Sequence, residues 1–210
     1  MAYANDKGSR FEQKLVKLFS EYWGIQFGRS VGSGSYRGTN REYVGLGDLQ
    51  PPVNNDFPFI IEAKNHEDWT LDQLFLGKGK VKEFWEQVIG DAEGTEEILK
   101  APLLAFTRNY MEDLILIPYE EEIFTSILSN KQPVSRLPII DYNKITDTTT
   151  TYDTLLTTFS GFSSVDKEMY IKLFYDKDWK QGRVETTFKE KTETETAKDM
   201  DSLLSSLSQY

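Results

Sequence analysis

The stretch GDLQPPVNNDFPFIIEAKN, residues 47–65, decides how this chain folds. Its apolar run from Phe57 to Ile61 predicts a buried strand, and the strand ends in Glu62-Ala63-Lys64. Successive side chains on a strand point to opposite faces, so Glu62 and Lys64 lie on the same face. The sequence therefore predicts a carboxylate and an ammonium group side by side at the end of a buried strand.

A second carboxylate is available on the other side of a turn. Asp48 lies fourteen residues before Glu62, a separation that lets two adjacent antiparallel strands bring both carboxylates together. Two converging carboxylates with room for water suit Mg²⁺ or Mn²⁺. Lys64 would then lower the pKa of an attacking water or stabilise charge on a phosphate. Two alternatives stay open here. An E-x-K triplet is also common at solvated strand ends, and Asp56 competes with Asp48, although its NND context favours a turn.

The composition bounds the class of protein. Of the residues, 39% are hydrophobic and 28% charged, as is typical of a soluble globular protein. A length of 210 residues predicts one core domain large enough for an enzyme, with extensions. It has no cysteine and one histidine, which excludes disulfides and disfavours a zinc site. No apolar run is long enough to span a bilayer, and the polar start lacks the apolar core of a signal peptide. We expect an intracellular protein, in the cytoplasm or in that of a host cell.

The charge is unevenly distributed. A formal net charge of -10 by itself argues against a nucleic-acid partner. Residues 1–41, however, hold seven Lys and Arg against three Asp and Glu, a local balance of +4. An arginine that precedes a Ser- and Gly-rich loop suits phosphate binding, because hydroxyls and backbone N–H groups contact phosphates directly. The predicted phosphate-binding residues are Arg29, Ser30, Ser33, Ser35, Arg37 and Arg41.

The remaining elements follow from periodicity and from turn residues. A first helix is predicted from Ser9, where Ser9 and Glu12 have the spacing of a capping box, to Gly24. Further predictions are an extended piece at 25–31, a helix at 70–91 broken at Gly77 and Gly79, strands at 102–109 and 113–119, a helix at 120–130, and short strands at 137–143 and 170–175. This order favours a mixed sheet flanked by helices.

The N-terminal segment carries a resemblance to a known family. KGSRFEQKLVKLFSEYWGIQFGRSVGSGS, followed by GD and then by IEAK, resembles the archaeal-type Holliday junction resolvases, members of the PD-(D/E)XK nuclease superfamily. The matching positions in this chain are Lys7-Gly8-Ser9, Glu12, Arg29, Ser30 to Ser35, Asp48 and Glu62-Ala63-Lys64. The resemblance covers residues 7–65 and is not detectable after about residue 110. It departs from the family at Gly47, where a proline is usual, and at Pro51-Pro52, where the family continues a strand.

The resemblance implies a fold and a division of the chain. The fold is the restriction-endonuclease-like α/β fold, a mixed β-sheet flanked by helices, here with a C-terminal extension. We place a nuclease core at residues 1–142, a poorly defined extension at 143–182 and a flexible acidic tail at 183–210.

The resemblance also implies a function. It predicts a metal-dependent, structure-selective DNA endonuclease that cuts four-way junctions as a homodimer, with Mg²⁺ or alternatively Mn²⁺ held by Asp48 and Glu62 and with Lys64 assisting. Glu12 has two open roles, a helix cap or a further catalytic metal ligand. Gln87 is a candidate because nucleases of this superfamily often place a glutamine on the helix after E-x-K. The alternatives are a related nuclease acting on flaps or duplex DNA and a non-catalytic DNA-binding module of the same fold.

Overall fold

The structure of the chain is a computed structural model that describes residues 2–30, 46–76, 79–95, 98–143, 148–182 and 184–187. The helices are α1 (Ala2–Trp23), α2 (Leu71–Phe75), α3 (Lys80–Glu93), α4 (Glu121–Ser129), α5 (Phe159–Ser163) and α6 (Lys167–Phe174), with a 3₁₀ turn at Trp179–Gly182. The strands are β1 (Gly28–Arg29), β2 (Leu49–Gln50), β3 (Phe59–Asn65), β4 (Ala101–Thr107), β5 (Leu114–Pro118), β6 (Val134–Asn143), β7 (Thr148–Thr158) and β8 (Val184–Thr187). None of the helices in the described part of the chain is long and apolar enough to cross a membrane.

The described strands form one mixed sheet in the order β1-β2-β3-β4-β5-β7-β6, and β8 pairs with β7. Strands β3 and β4 are parallel, with Glu62 opposite Leu104, and are joined through α2 and α3. The other paired strands are antiparallel. The predicted mixed β-sheet flanked by helices is therefore confirmed.

Helices cover both faces of the sheet, which explains the apolar run of β3. Ile61 packs in a core that includes Leu15 and Phe19 of α1. Its neighbour Ile60 points the other way and packs in a second core with Trp85 of α3. A strand buried on both faces needs apolar residues at successive positions, so the charged Glu62 within it is an exception that requires a local explanation.

The start of the chain joins the same core as its later helices. The Tyr22 hydroxyl of α1 donates a hydrogen bond to the Val165 carbonyl at 2.7 Å. The Lys167 ammonium donates to the Trp23 carbonyl at 3.0 Å. The last turn of α1 is thus fastened to the segment that opens α6.

The predicted start of the first helix is wrong. Helix α1 begins at Ala2, so Ser9 and Glu12 lie inside it. A cap residue needs an extended backbone before the first turn, and Ser9 does not have one, because residues 2–8 are already helical. The capping-box role of Glu12 is excluded, whereas the break between α2 and α3 near Gly79 is confirmed.

The strand predicted at 170–175 is also wrong, because residues 170–174 belong to α6 and Tyr175 follows its last turn. The Asp166 side chain caps the helix by accepting a hydrogen bond from the Glu168 N–H at 3.1 Å. Tyr170 and Phe174, four residues apart, are both buried, which is the spacing of a helix face. A short apolar run cannot be assigned to helix or strand from periodicity alone.

Residues beyond 142 contribute an interior strand. The threonine-rich β7 lies between β5 and β6, with Leu116 opposite Leu156. Its buried hydroxyls reach neighbouring carbonyls: Thr157 Oγ1 donates to Pro133 O at 2.6 Å, and Thr154 Oγ1 donates to Leu137 O. The predicted boundary at residue 142 thus falls at the end of β6, and the residues described at 148–182 pack in the core of residues 1–142.

The predicted tail begins with structure. Val184–Thr187 forms β8 and pairs with the first half of β7, with Thr148 opposite Thr187. Arg183 and residues 188–210 lie outside the described residues, so the prediction of a flexible tail there stays a prediction.

Candidate active site

The turn before β2 places Asp48. Gly47 has φ +74°, a backbone conformation that proline cannot adopt. A Cβ on residue 47 would lie 2.5 Å from the Ile61 carbonyl oxygen, so the turn passes too close to β3 for any side chain. Asp48 N–H then donates to this same oxygen at 2.7 Å. The glycine that departs from the family pattern is therefore what brings Asp48 against β3.

Ser30 fixes the same turn from its other side. Its N–H donates to the Asp48 carbonyl at 2.9 Å, and its hydroxyl donates to the Gly47 carbonyl at 2.6 Å. The two bonds hold the peptide groups before and after the Asp48 Cα. The structure thus gives Ser30 a positional role, while its predicted contact with phosphate stays a prediction.

Asp48 and Glu62 meet in the interior at the junction of β2 and β3. Leu49 lies opposite Ile61 in this antiparallel pair, which places the preceding aspartate beside the following glutamate. The two residues are 6% and 2% exposed. Asp48 Oδ2 accepts a hydrogen bond from the Ala63 N–H at 2.9 Å, which fixes the carboxylate against the E-A-K triplet.

Burial makes both carboxylates hard to ionise together. Burial raises the pKa of Asp48, and the hydrogen bond from Ala63 and the charge of Lys64 oppose this shift. Burial and the neighbouring Asp48 raise the pKa of Glu62 from 4.5 to about 7, against the opposing charge of Lys64. Two adjacent buried acids of this kind hold a proton or a cation at neutral pH.

Lys64 and Gln87 complete the surroundings of Glu62. The Lys64 ammonium pairs with Glu62 Oε1, and the lysine side chain is 20% exposed. Gln87 of α3 donates from Nε2 to the same oxygen at 2.6 Å. The lysine ammonium also lies 5.8 Å from the ring centroid of Phe84. The predicted neighbours of Glu62 are thus brought together from two elements, β3 and α3.

Asp91 is a residue that sequence reasoning missed. It lies one helical turn after Gln87 on α3, and its charge raises the pKa of both Asp48 and Glu62. The signal was present in the sequence, since residues four apart share a helix face. Its effect is to make this end of the sheet more negative, which strengthens attraction for a cation.

The donor set fits a hard divalent cation. Mg²⁺ is commonly held by one or two carboxylates, with waters and substrate phosphates as the remaining ligands. Among the described residues no group of three or more acidic or histidine side chains is arranged to hold a metal ion, so the protein would supply two carboxylates, Asp48 and Glu62. Burial raises the pKa of both groups, and a bound cation would lower both pKa values by stabilising the ionised carboxylates.

Glu12 contacts arginine. Its Oε2 accepts from Arg29 Nε at 2.6 Å and pairs with Arg29 Nη2 at 2.5 Å. The glutamate side chain is 13% exposed and the arginine 37% exposed. Arg29 also lowers the pKa of Asp48, which places its charge close to the carboxylate pair. A metal-binding role for Glu12 stays a prediction, and it would require Arg29 to give up this carboxylate.

The remaining candidate residues that the structure describes lie outside the carboxylate pair and its contacts. Asp56 is exposed in the loop before β3, away from the pairing that buries Asp48. His66 follows β3 in a loop, as predicted, and its ring lies 5.3 Å from that of Phe84. Four predicted phosphate-binding residues lie outside the described residues: Ser33, Ser35, Arg37 and Arg41.

Comparison with known proteins supports a nuclease. No curated protein and no solved structure matches the chain. The model of the family described as "Phage putative PDDEXK endonuclease" matches residues 3–172, which include the acidic pair, Lys64, Gln87 and strand β7. Nucleases of the PD-(D/E)XK superfamily generally use divalent metal ions. The match covers most of the chain, so this protein belongs to that PDDEXK endonuclease family and hence to the PD-(D/E)XK nuclease superfamily.

Proposed function

We propose that this chain is a Mg²⁺-dependent, structure-selective DNA endonuclease that cuts four-way junctions as a homodimer. One observation carries the catalytic part of the proposal. Asp48 and Glu62 are buried side by side with raised pKa values, and Lys64 lies on Glu62. Two ionised carboxylates buried side by side destabilise the fold, and a cation bound between them removes this cost.

The reaction is hydrolysis of a phosphodiester. A water attacks phosphorus in line with the leaving 3′ oxygen, the P–O3′ bond breaks, and the products carry a 5′-phosphate and a 3′-hydroxyl. Mg²⁺ supplies Lewis-acid activation and neutralises charge on the phosphate. Asp48 and Glu62 hold the ion, Gln87 and the Ala63 N–H keep the two carboxylates in place, and Lys64 stabilises the charge that develops on the phosphate oxygens.

The preference for junctions rests on the resemblance over residues 7–65. The matching positions occur in the family order, from Lys7-Gly8-Ser9 to Glu62-Ala63-Lys64. A four-way junction presents two equivalent strands, so two copies of one site would cut it symmetrically. Arg29, which is 37% exposed beside the carboxylate pair, would contact a phosphate next to the cut. Arg37 and Arg41 extend the same proposal into the loop that follows.

The test compares three substrates of matched sequence, a four-way junction, a flap and a linear duplex, with Mg²⁺ and with EDTA. We expect Mg²⁺-dependent cutting with the junction preferred. Glu62→Ala should abolish cutting and retain DNA binding, because removing a carboxylate reduces repulsion of phosphate. Lys64→Ala should slow cutting and have a smaller effect on metal affinity. Glu83→Ala, on the exposed face of α3, should change neither the cutting rate nor the metal affinity. Near-normal cutting by Glu62→Ala would refute the assigned site.

Other outcomes separate the parts of the proposal. Equal cutting of linear duplex and junction would remove the junction preference and leave a nuclease. DNA binding without cutting under any divalent ion would favour the non-catalytic alternative. For the arginines, each phosphate contact contributes close to one unit to the slope of log affinity against log salt. Arg29→Ala and Arg37→Ala should therefore flatten that slope, and Lys177→Ala, an exposed lysine beyond α6, should leave it unchanged.

A further inference from the structure

Tyr110 stands out among the exposed residues. It lies in the β4–β5 turn (residues 108–113), is 105% exposed and has φ +62°. A side chain this exposed packs on nothing in the fold. The third residue of a tight turn with positive φ is normally Gly or Asn, and a bulky residue there is strained by about 1 kcal/mol or more. Neither the exposure nor the conformation of this tyrosine is explained by stability.

The base of the β4–β5 turn is rigidly held. The Arg108 guanidinium donates to the Trp69 carbonyl at 2.9 Å and lies 5.3 Å from the centroid of the Trp69 ring, which is itself buried. The Asn109 N–H donates to Glu67 Oε1 at 3.2 Å. A turn fixed on both sides holds the backbone of Tyr110 in a defined place, so little backbone entropy would be lost when its ring binds.

The turn lies at the catalytic end of the sheet. Strands β3 and β4 are parallel, and Lys64 is opposite Phe106, so the turn leaves the sheet just beyond the lysine. The His66 N–H donates to the Thr107 carbonyl at 3.2 Å, which joins the two strand ends. Tyr110 follows Phe106 by four residues, which span at most about 14 Å, and strand spacing places Phe106 about 5 Å from Lys64, so Tyr110 lies within about 19 Å of Lys64. That limit corresponds to about six base steps of stacked DNA or fewer.

The acidic groups around the turn are largely neutralised. Lys7 of α1 pairs with Glu67 at 2.7 Å, and Lys14, about two helical turns further along the same face, pairs with Asp113 at 2.5 Å. Arg108 adds a positive charge against the exposed Glu112. In a chain of net charge -10, a locally balanced edge beside the site is where a polyanion can approach.

We propose that Tyr110 stacks on a nucleobase released from continuous duplex a few nucleotides from the scissile phosphate. Base–aromatic stacking requires an open base face, which branch points, flaps and unpaired ends offer and the interior of a paired duplex does not. Tyr110 therefore selects DNA with an unstacked base near the cut. This inference deepens the proposed nuclease function and rests on it.

The experiment places 2-aminopurine next to the branch point of a flap and of a four-way junction, with a fully paired linear duplex carrying the same probe as reference. Affinity is measured in EDTA, where no cutting occurs, together with quenching of the probe by the protein. Tyr110→Asn removes the ring and suits the positive φ, so it should fold normally. Tyr110→Phe keeps a stacking ring. Leu128→Asn removes another exposed apolar side chain, on α4, and serves as the control.

We expect Tyr110→Asn to bind the branched substrates between about 5- and 150-fold more weakly, the range for loss of one stacked base, and to lose the quenching. Tyr110→Phe and Leu128→Asn should match the wild type, and affinity for the linear duplex should change by less than about twofold. Unchanged affinity and quenching in Tyr110→Asn, in a protein that cuts DNA with Mg²⁺, would overturn the stacking proposal alone. A wild-type protein that neither binds nor cuts DNA would overturn the nuclease function and this proposal together.

Discussion

Glu62→Gln should stabilise the metal-free protein and destroy its activity. Glu62 is 2% exposed, and its pKa is raised to about 7 by burial and by Asp48, with a further contribution from Asp91 and against the charge of Lys64. The folded state therefore keeps a proton that the unfolded chain loses near pH 4.5. Stability falls as pH rises from about 4.5 to 7 and then levels off. The loss amounts to about 3 kcal/mol of the free energy of unfolding at pH 8.

Glutamine is neutral at every pH and nearly the same size, so it removes this loss. In urea unfolding with EDTA, we expect the variant to exceed the wild type by up to about 3 kcal/mol at pH 8 and by much less at pH 5. Adding Mg²⁺ should stabilise the wild type and leave the variant unchanged, because only a site that binds the ion gains from it. Glu83→Gln, which removes an exposed carboxylate from α3, should show no comparable dependence on pH.

Equal stability of Glu62→Gln and the wild type would refute the assigned cost of burying Glu62. If Glu62→Gln is no more stable than the wild type at pH 8 without metal, then Glu62 is ionised there at no cost. The carboxylate pair would in that case be adequately solvated, and the argument from burial to metal binding would fail.

Two further predictions concern the backbone. Gly47→Ala should lower the free energy of unfolding by about 2 kcal/mol or more and impair cutting, because its Cβ would lie 2.5 Å from the Ile61 carbonyl oxygen. Gly90→Ala, in open space on α3, should raise the free energy of unfolding by about 0.5 kcal/mol or more. Urea unfolding measures both changes. A chain ending at residue 142 should lack a cooperative thermal transition by circular dichroism, because it loses β7, while a chain ending at residue 187 should keep one; a sharp transition in the shorter chain would contradict the packing of β7 in the core.

The sequence predicted the parts of the site that depend on local pattern. Strand alternation places Glu62 and Lys64 on one face, and the antiparallel turn places Asp48 beside them, as the structure has them. The role of Gly47 could not be predicted, because it depends on how closely a turn approaches a strand fourteen residues away. The positional role of Ser30 could not be predicted either, because it depends on the hydrogen bond from its hydroxyl to the Gly47 carbonyl; its contact with phosphate stays a prediction.

The fold could be predicted best for strands whose buried residues are apolar. Strands β3, β4 and β5 each contain an apolar run, and these runs predict buried strands. Strand β7 was missed because threonine counts as polar in a pattern, although its branched Cβ suits a strand and its hydroxyl can be satisfied by a neighbouring carbonyl. Helix α6 was mistaken for a strand because the apolar pattern at 170–175 covers six residues, too few to separate a period of two from one of 3.6.

The hydrogen bonds between α1 and the segment at the start of α6 affect the order in which the protein folds. Tyr22 and Trp23 find their partners at Val165 and Lys167, more than 140 positions later in the chain. While the chain is being synthesised, the last turn of the first helix therefore stays without these two partners until the ribosome has delivered residues 165–167, although Leu15 and Phe19 can already pack on β3. Contacts this distant in sequence form late and slowly. A chain interrupted midway through synthesis would carry Asp48, Glu62 and Lys64 without β7, α5 and α6, which complete the sheet and the core beneath β3, so cutting activity should arise only when synthesis is nearly finished.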